Sequence, residues 1–416
     1  MNRTIPWWLF VLFLVLFATA TDEFIIAGLL PLIADDLDVS IAAAGQLITV
    51  FAVVYAISAP TLAVVFDRFP KRGVMISGLA VFAVANIAAA FAPGYWILML
   101  ARAVAALCAA VVTSAAFTSA AVGAPAGRQG RYLSVLTAGM TVALITGVPL
   151  GSWLGGAVGW RATFLLIAAV GVIAAAGLGI TGPKISGSAP APLRERLRPL
   201  HDPAVLRLVM VSFLVASGGL MFYSYLAPYT AYVAWDSPSL LTTLLFVVGV
   251  AGFGGALFSG RLTDRLGPRL ALPVVVGGHT LALALLAVLA LTGFGYPILL
   301  GMLVALWAVF AWGTNPPIQG SIMAAVGSQV GMTALAMNIA GLYLGTGVAG
   351  ALGGALISLV GVRYLPIAAA LMTLLSLSLT LRPARERSAA TPDATPANAA
   401  GPPAERPESP TPAACG

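Results

Sequence analysis

The strongest constraint on this chain is a series of apolar runs, each about 20 residues or longer, with short polar segments between them. A helix that crosses a bilayer needs about 20 mainly apolar residues. The runs therefore predict an all-α membrane protein with twelve transmembrane helices. We predict spans at 7–32, 43–66, 74–92, 95–122, 131–154, 161–181, 205–233, 239–260, 270–292, 296–322, 330–355 and 363–381.

Composition excludes several other classes of protein. Of the 416 residues, 60% are hydrophobic and 8% are charged, whereas about 25% of the residues of a soluble domain are charged. A soluble enzyme and a disordered chain are excluded, and so is an outer-membrane barrel, because its strands alternate polar and apolar residues. Two cysteines, Cys108 and Cys415, and two histidines are too few for a disulfide framework or a metal centre. We expect no metal and no cofactor.

The net charge of +7 indicates membrane topology, not nucleic-acid binding, because the basic residues lie in short clusters between the apolar runs. With the N-terminus in the cytoplasm, all 21 Lys and Arg residues fall on cytoplasmic segments except Arg102, Arg161 and Arg363. Cytoplasmic loops carry such an excess. We predict a multi-pass protein of a bacterial-type inner membrane, with both termini in the cytoplasm.

Two similar charged motifs indicate an internal duplication. Asp67 and Arg68 follow the second predicted span, and Asp264 and Arg265 follow the eighth, 197 positions later. Parallel repeats of this kind build transporters whose substrate site lies near the midplane between the halves. We predict a six-helix half at 1–181, a cytoplasmic linker at 182–204, a second half at 205–382 and a disordered cytoplasmic tail at 383–416.

Three ionisable residues lie inside predicted spans: Asp22 and Glu23 in the first and Arg102 in the fourth. A charge at the bilayer centre costs about 2.5–3.5 kcal/mol on insertion scales, so such residues face an interior or a cavity and pair with one another. We interpret them as a group that couples protons to substrate, with one acid paired to Arg102 and the other facing the cavity or interface. The alternative is a static ion pair that fixes helix packing.

The two charged motifs resemble the signature sequences of the major facilitator superfamily, which follow the second and eighth helices. The first copy departs from the pattern, since Pro70 stands where the family has glycine. The resemblance covers about 5–382 and implies the family's fold of twelve helices in two six-helix repeats. It also implies that these residues act in gating: Asp67, Arg68, Lys71, Arg72, Gly260, Asp264 and Arg265.

Two further segments resemble drug–proton antiporters of this family. Gly147, Pro149 and Gly151 are similar to the fifth-helix motif of those antiporters, and we expect them to pack across the interface between the halves. The opening segment 21–31 resembles bacterial efflux proteins of the chloramphenicol and sugar type, and Arg102 resembles the fourth-helix arginine implicated in proton transfer. Small residues also let helices approach closely, and proline bends a span, so a packing role alone is the alternative.

Polar and aromatic residues in the later spans suit an amphipathic substrate. The cavity candidates are Tyr223, Tyr225, Asn315, Gln319 and Asn338. Aromatic residues at these positions are also typical of an interfacial belt.

The sequence contains no Gly-Lys-Ser/Thr segment for phosphate and no HExxH or Gly-x-Ser-x-Gly motif. We expect no catalytic residue and transport driven by an ion gradient. We predict a monomer that exchanges protons for a small molecule such as an antibiotic. Uptake or efflux of a sugar-like or nucleoside-like metabolite is one alternative, and a membrane sensor or channel is another.

Overall fold

A computed structural model describes residues 6–125, 127–187, 194, 198–235, 237–293 and 296–381, apart from the side chains at 63–64, 327–330 and 332. The predicted tail, 383–416, lies outside the described residues. In the described ranges all regular structure is helical, and twelve segments are long and apolar enough to cross a membrane. The predicted fold class is therefore confirmed.

The α-helices run from Trp7–Phe24, Ile26–Asp36, Ile41–Phe66, Lys71–Ala90, Tyr95–Gly123, Gln129–Val142, Val148–Val158, Trp160–Thr181, Pro203–Ser224, Leu226–Val233, Pro238–Leu266, Pro268–Thr292, Pro297–Gly313, Asn315–Leu359 and Leu365–Leu381. The first two helices form the first span, and Pro203–Ser224 with Leu226–Val233 forms the seventh. The fifth, tenth and eleventh spans are Gln129–Val158, Pro297–Val326 and Thr333–Leu359.

The predicted span ends lie within four residues of the observed ends, with one exception. The eighth span was predicted to end at 260 and continues to Leu266. The apolar pattern stops there, whereas the helix runs on through the charged motif to Gly267, whose φ of 76° ends it. The segment 323–329, predicted as a connection, is also helical, because the chain holds no proline between Pro317 and Leu359 to interrupt the backbone hydrogen bonds.

Two spans are interrupted at corresponding positions of the two halves. The helix of the first span breaks at Ile25, and that of the seventh breaks at Tyr225, 200 positions later. A proline follows each break, Pro31 in the first span and Pro228 in the seventh. Proline removes a backbone donor and clashes with the carbonyl four residues earlier, which loosens the preceding turn. Interrupted helices of this kind border substrate sites in transporters.

The fifth span contains a π-helical turn at Ala143–Gly147. Pro149 lies two residues after the turn and cannot donate to the carbonyl of Ile145. The wider turn accommodates this missing hydrogen bond within a continuous helical span.

The two halves pack through small residues. A Cβ added at Gly354 in the eleventh span would lie 3.1 Å from the carbonyl oxygen of Ala42 in the second. A Cβ at Gly249 in the eighth span would lie 2.6 Å from the carbonyl oxygen of Leu144 in the fifth. Both distances are shorter than ordinary van der Waals contacts, so glycine suits these positions, and close backbone packing is what associates helices in a membrane. The boundaries of the halves and linker stay a prediction.

Candidate functional site

A buried ion pair joins the first and fourth spans. Arg102 Nη1 donates to Asp22 Oδ1 at 2.6 Å. Asp22 is 0% exposed and Arg102 is 1% exposed. Because both charges are out of water, each depends on the other for compensation.

The guanidinium of Arg102 lies close to two aromatic rings, and some of its N–H donors are not used in hydrogen bonds to the described residues. It lies 4.4 Å from the ring centroid of Phe51 and 6.0 Å from that of Phe164. Arg102 Nε and Nη2, and Asp22 Oδ2, have no hydrogen-bond partner in the described part of the chain. The pair can therefore accept a further polar contact without first giving up the existing one.

Glu23 points away from this pair toward the other half of the protein. Its Oε2 accepts a hydrogen bond from the Tyr343 hydroxyl at 2.8 Å. The ring of Tyr343, in the eleventh span, stacks on Tyr55 of the second span with centroids 3.9 Å apart. The two adjacent acids thus have different surroundings, one inside the N-terminal half and one between the halves.

A narrow cavity lies beside Glu23, between the halves. Its walls come from the first, second, seventh and eleventh spans and are mostly apolar or aromatic. The lining residues are Glu23, Phe24, Ala27, Ile48, Phe51, Ala52, Leu220, Tyr223, Ser224, Tyr343 and Thr346. One carboxyl group and a few hydroxyls in an otherwise apolar pocket suit an amphipathic small molecule.

Of the five predicted cavity residues, Tyr223 lines this cavity and the other four lie elsewhere. Tyr225 is buried at the break of the seventh span and donates to the Gly350 carbonyl at 2.6 Å. Asn338 accepts from Ser212 at 2.5 Å, within the C-terminal half. Asn315 begins the helix after the break at Thr314, and Gln319 is exposed. The sequence does not show which face of each helix is turned toward the cavity. It therefore could not separate the residues that line the cavity from those that lie elsewhere.

The prediction omitted several residues of the site. Phe51, Tyr55 and Thr346 are uncharged members of long apolar spans, so composition and spacing do not distinguish them from lipid-facing positions. Their role in the site depends on how the second and eleventh spans face each other, which only the packed structure gives. Tyr343 of the eleventh span also lines the cavity.

The first copy of the charged motif is tied to its own half. Lys71 Nζ donates to Asp67 Oδ1 at 2.8 Å, and Lys71 is 3% exposed. Arg72 donates to the Gly179 carbonyl at the end of the sixth span. The guanidinium of Arg68 lies over the ring of Phe69 at 4.9 Å. Lys71 is thus one partner of Asp67 on this motif.

The second copy of the charged motif is more open. Asp264 and Arg265 are exposed, and Gly260 has space around its Cα for a side chain. The two copies are similar in sequence and differ in their surroundings.

The glycines of the fifth-span motif face the first span. A Cβ at Gly151 would lie 2.7 Å from Ile25 Cδ1 and 2.9 Å from Thr163 Cγ2. A Cβ at Gly147 would clash with the hydroxyl of Thr21, the residue before Asp22, and Pro149 is buried in the same segment. We expected these glycines to pack across the interface between halves. They pack instead within the N-terminal half, Gly147 against the first span and Gly151 against the first and sixth spans.

Twelve apolar spans among the described residues, helix breaks at similar places in the first and seventh spans and a cavity between two halves define a membrane transporter fold. The chain matches the family model described as Major Facilitator Superfamily over residues 12–342. The chain belongs to this superfamily, whose members are transporters and not enzymes.

Similar proteins include the uncharacterized MFS-type transporter YbcL of Bacillus subtilis, with 33% identity over 90% of this chain and 95% of that protein. The chloramphenicol resistance protein of Streptomyces lividans is 36% identical over 62% of this chain and 67% of its own length. The solved structure of an inward-facing bacterial homologue of the human lysosomal transporter Spinster has a TM-score of 0.68. It is 17% identical and covers 91% of this chain and 97% of its own, so it shows the fold alone.

Proposed function

We propose that this transporter exports a small amphipathic compound, such as an antibiotic, in exchange for protons. The observation that carries the proposal is the position of Glu23, whose carboxyl group lines the cavity and accepts a hydrogen bond from Tyr343 of the other half. A carboxyl group has two protonation states, and this one contacts both halves and the substrate cavity at once.

The chemistry of coupling follows from that contact. As a carboxylate, Glu23 accepts from the Tyr343 hydroxyl. Protonation removes a charge that is costly inside a membrane and adds a donor, so the bond between the halves changes in strength. A proton at Glu23 thereby favours one arrangement of the halves, and a bound substrate that contacts Glu23 favours the other. A ligand that differs in affinity for two states shifts the equilibrium between them.

The Asp22–Arg102 ion pair fixes the position of the first span next to Glu23. Its 2.6 Å contact holds the first span against the fourth at the residue next to Glu23. Arg102 Nη2 and Asp22 Oδ2 have no partner among the described residues, which leaves room for a transient contact as Glu23 changes state. Asp22 and Arg102 thus belong to the proposed coupling group with Glu23.

Two observations favour export of a drug-like compound. The fifth-span motif resembles that of drug–proton antiporters, and it packs on Thr21, directly before the two acids. The chloramphenicol resistance protein of Streptomyces lividans is 36% identical over the matched part. The distribution of basic residues supports a location in the inner membrane with both termini in the cytoplasm. Both halves that line the cavity come from one chain, which supports transport by a monomer.

The charged motifs are proposed to govern opening on the cytoplasmic side. Asp67 and Lys71 form an ion pair where the second and third spans are joined, and Arg72 fastens this connection to the sixth span. A change in these contacts would move the connection between the second and third spans when the cytoplasmic side closes. Asp264 and Arg265 lie in the last turn of the eighth span, just before the equivalent connection in the second half.

The test uses everted vesicles from cells that contain the protein. Chloramphenicol and a panel of amphipathic antibiotics are added with and without an imposed proton gradient. We expect accumulation of at least one compound that requires the gradient and is lost in Glu23→Gln. Gradient-driven uptake only in right-side-out vesicles would support import, and flux without a gradient would support a channel. A strain that lacks this protein identifies the compounds to which its loss causes sensitivity. If none of those compounds moves across the vesicle membrane, the proposal is contradicted.

A further inference from the structure

A second buried polar contact lies in the C-terminal half, apart from the two acids. Trp307 Nε1 in the tenth span donates to His279 Nε2 in the ninth span at 3.1 Å. His279 is 1% exposed and Trp307 is 0% exposed. A Cβ at Gly219 of the seventh span would lie 2.7 Å from His279 Cε1, so the imidazole packs directly on that helix.

The direction of the hydrogen bond fixes the form of the imidazole. An indole N–H can only donate, so His279 Nε2 accepts and the ring proton is on Nδ1. His279 Nδ1 has no hydrogen-bond partner among the residues that the structure describes. A buried donor without a partner is unfavourable, and an aliphatic side chain would avoid it. Packing alone therefore does not account for histidine at this position.

The contact connects His279 to the wall of the cavity. The indole of Trp307 stacks on Tyr223 with centroids 6.5 Å apart and an interplanar angle of 20°. Tyr223 lines the cavity, and its hydroxyl donates to the Phe24 carbonyl at 3.3 Å. Trp307 also meets Phe222 edge-on at 5.0 Å, so its ring has neighbours on more than one side.

We propose that His279 is a positioning residue that sets the shape of the substrate cavity. By accepting the Trp307 N–H it fixes the plane of the indole, and the indole in turn fixes the ring of Tyr223. The shape of the cavity beside Glu23, and so the choice among substrates of similar size, depends on a residue that does not itself line it. The inference rests on the proposed function only in taking this cavity as the substrate site.

One arm of the test needs no substrate. In a His201→Asn background His279 is the sole histidine, because the chain has two. With ¹⁵N-labelled histidine we expect an unprotonated Nε2 whose resonance shifts in Trp307→Phe. The matched control is Trp312→Phe, which changes a ring that contacts Trp307 and leaves the bond from Trp307 to His279 in place.

The same samples report on the cavity wall. With ¹³C-labelled tyrosine, assigned by Tyr223→Phe, the Tyr223 resonance is expected to shift in His279→Leu. It should return in His279→Gln, whose amide oxygen can accept from Trp307. An unchanged Tyr223 resonance in a folded His279→Leu protein would overturn the proposal.

The second arm measures transport of two probes, chloramphenicol and tetraphenylphosphonium. In His279→Leu we expect the ratio of the two KM values to change about fivefold while kcat stays within about twofold, as the loss of one hydrogen bond would allow. His279→Gln should lie near wild type. An equal loss of kcat for both probes would indicate a purely structural role and contradict the inference. Where the wild-type protein transports neither probe, the result counts against the proposed function, and the resonance of Tyr223 decides the inference.

Discussion

The hydroxyl of Tyr343 donates a 2.8 Å hydrogen bond to Glu23 Oε2, and this bond joins the eleventh span to the first. Tyr343 also stacks on Tyr55 of the second span, so a single side chain of one half contacts two spans of the other. Any motion that separates the halves at this level must break both contacts. The same carboxyl group, that of Glu23, therefore both lines the cavity and forms a contact between the halves.

The first prediction concerns Glu23. Glu23→Gln keeps the shape of the side chain but removes its ability to take up and release a proton. We expect normal amounts of protein in the membrane and loss of gradient-driven export in everted vesicles. The control is Tyr343→Phe, which removes the hydroxyl and keeps the stacking ring, and which should weaken export without abolishing it. Wild-type export by Glu23→Gln would exclude this residue as the coupling group.

The second prediction separates Asp22 from Glu23. Breaking a buried ion pair by removal of one partner costs about 3–5 kcal/mol, because the remaining charge is uncompensated. Asp22→Asn and Arg102→Met should each lower thermal stability in detergent, whereas Glu23→Gln should not. The double variant Asp22→Asn/Arg102→Met should recover most of the lost stability, since neither charge remains.

Export by that double variant decides between two roles of the pair. If the pair only fixes helix packing, the stable double variant should transport at nearly the wild-type rate. We expect instead that export stays low, because Asp22 and Arg102 belong to the proposed coupling group. Transport at the wild-type rate would favour the static ion pair.

The fold was predictable from sequence because a bilayer permits few structures. Every backbone polar group in lipid must be satisfied internally, so a long apolar run can only be a helix, and run length gives the bounds. The predictions went wrong where this argument does not apply. The eighth span continues past its apolar end to Leu266 through charged residues, and the tenth and eleventh spans are joined by helix.

The site was harder to predict because it depends on helix rotation. Charges inside spans identified Asp22, Glu23 and Arg102 as candidates, since such residues are costly and therefore rare. No comparable signal separates Tyr223, which lines the cavity, from Tyr225, which is buried between the second and eleventh spans. Side chains with the same chemistry two positions apart point in different directions, and the break at Tyr225 changes that direction further.

The third prediction concerns the first charged motif. Lys71 is nearly buried and its ammonium lies 2.8 Å from Asp67, so Asp67→Asn removes the charge that compensates it. We expect slower turnover with a KM close to wild type, because the residue is remote from the cavity lining. Asp264→Asn is the matched change at the exposed copy and should have a smaller effect. A large increase in KM with normal turnover for Asp67→Asn would contradict a gating role.

The last prediction concerns the contact between the fifth span and the residues beside the acids. Gly147 and Gly151 pack against Thr21 and Ile25, on either side of Asp22 and Glu23. Gly147→Leu and Gly151→Leu should push the first span away from the fifth, and overpacking of this kind costs about 1–3 kcal/mol. We expect lower export and a proton leak in the absence of substrate, measured together in reconstituted vesicles. Gly254→Leu is the control, since a Cβ there would meet no atom within 4 Å. Quantification of each variant in the membrane separates this effect from a failure to insert. If the variants are present in full amounts, exchange at the wild-type rate and show no leak, these glycines have no part in coupling.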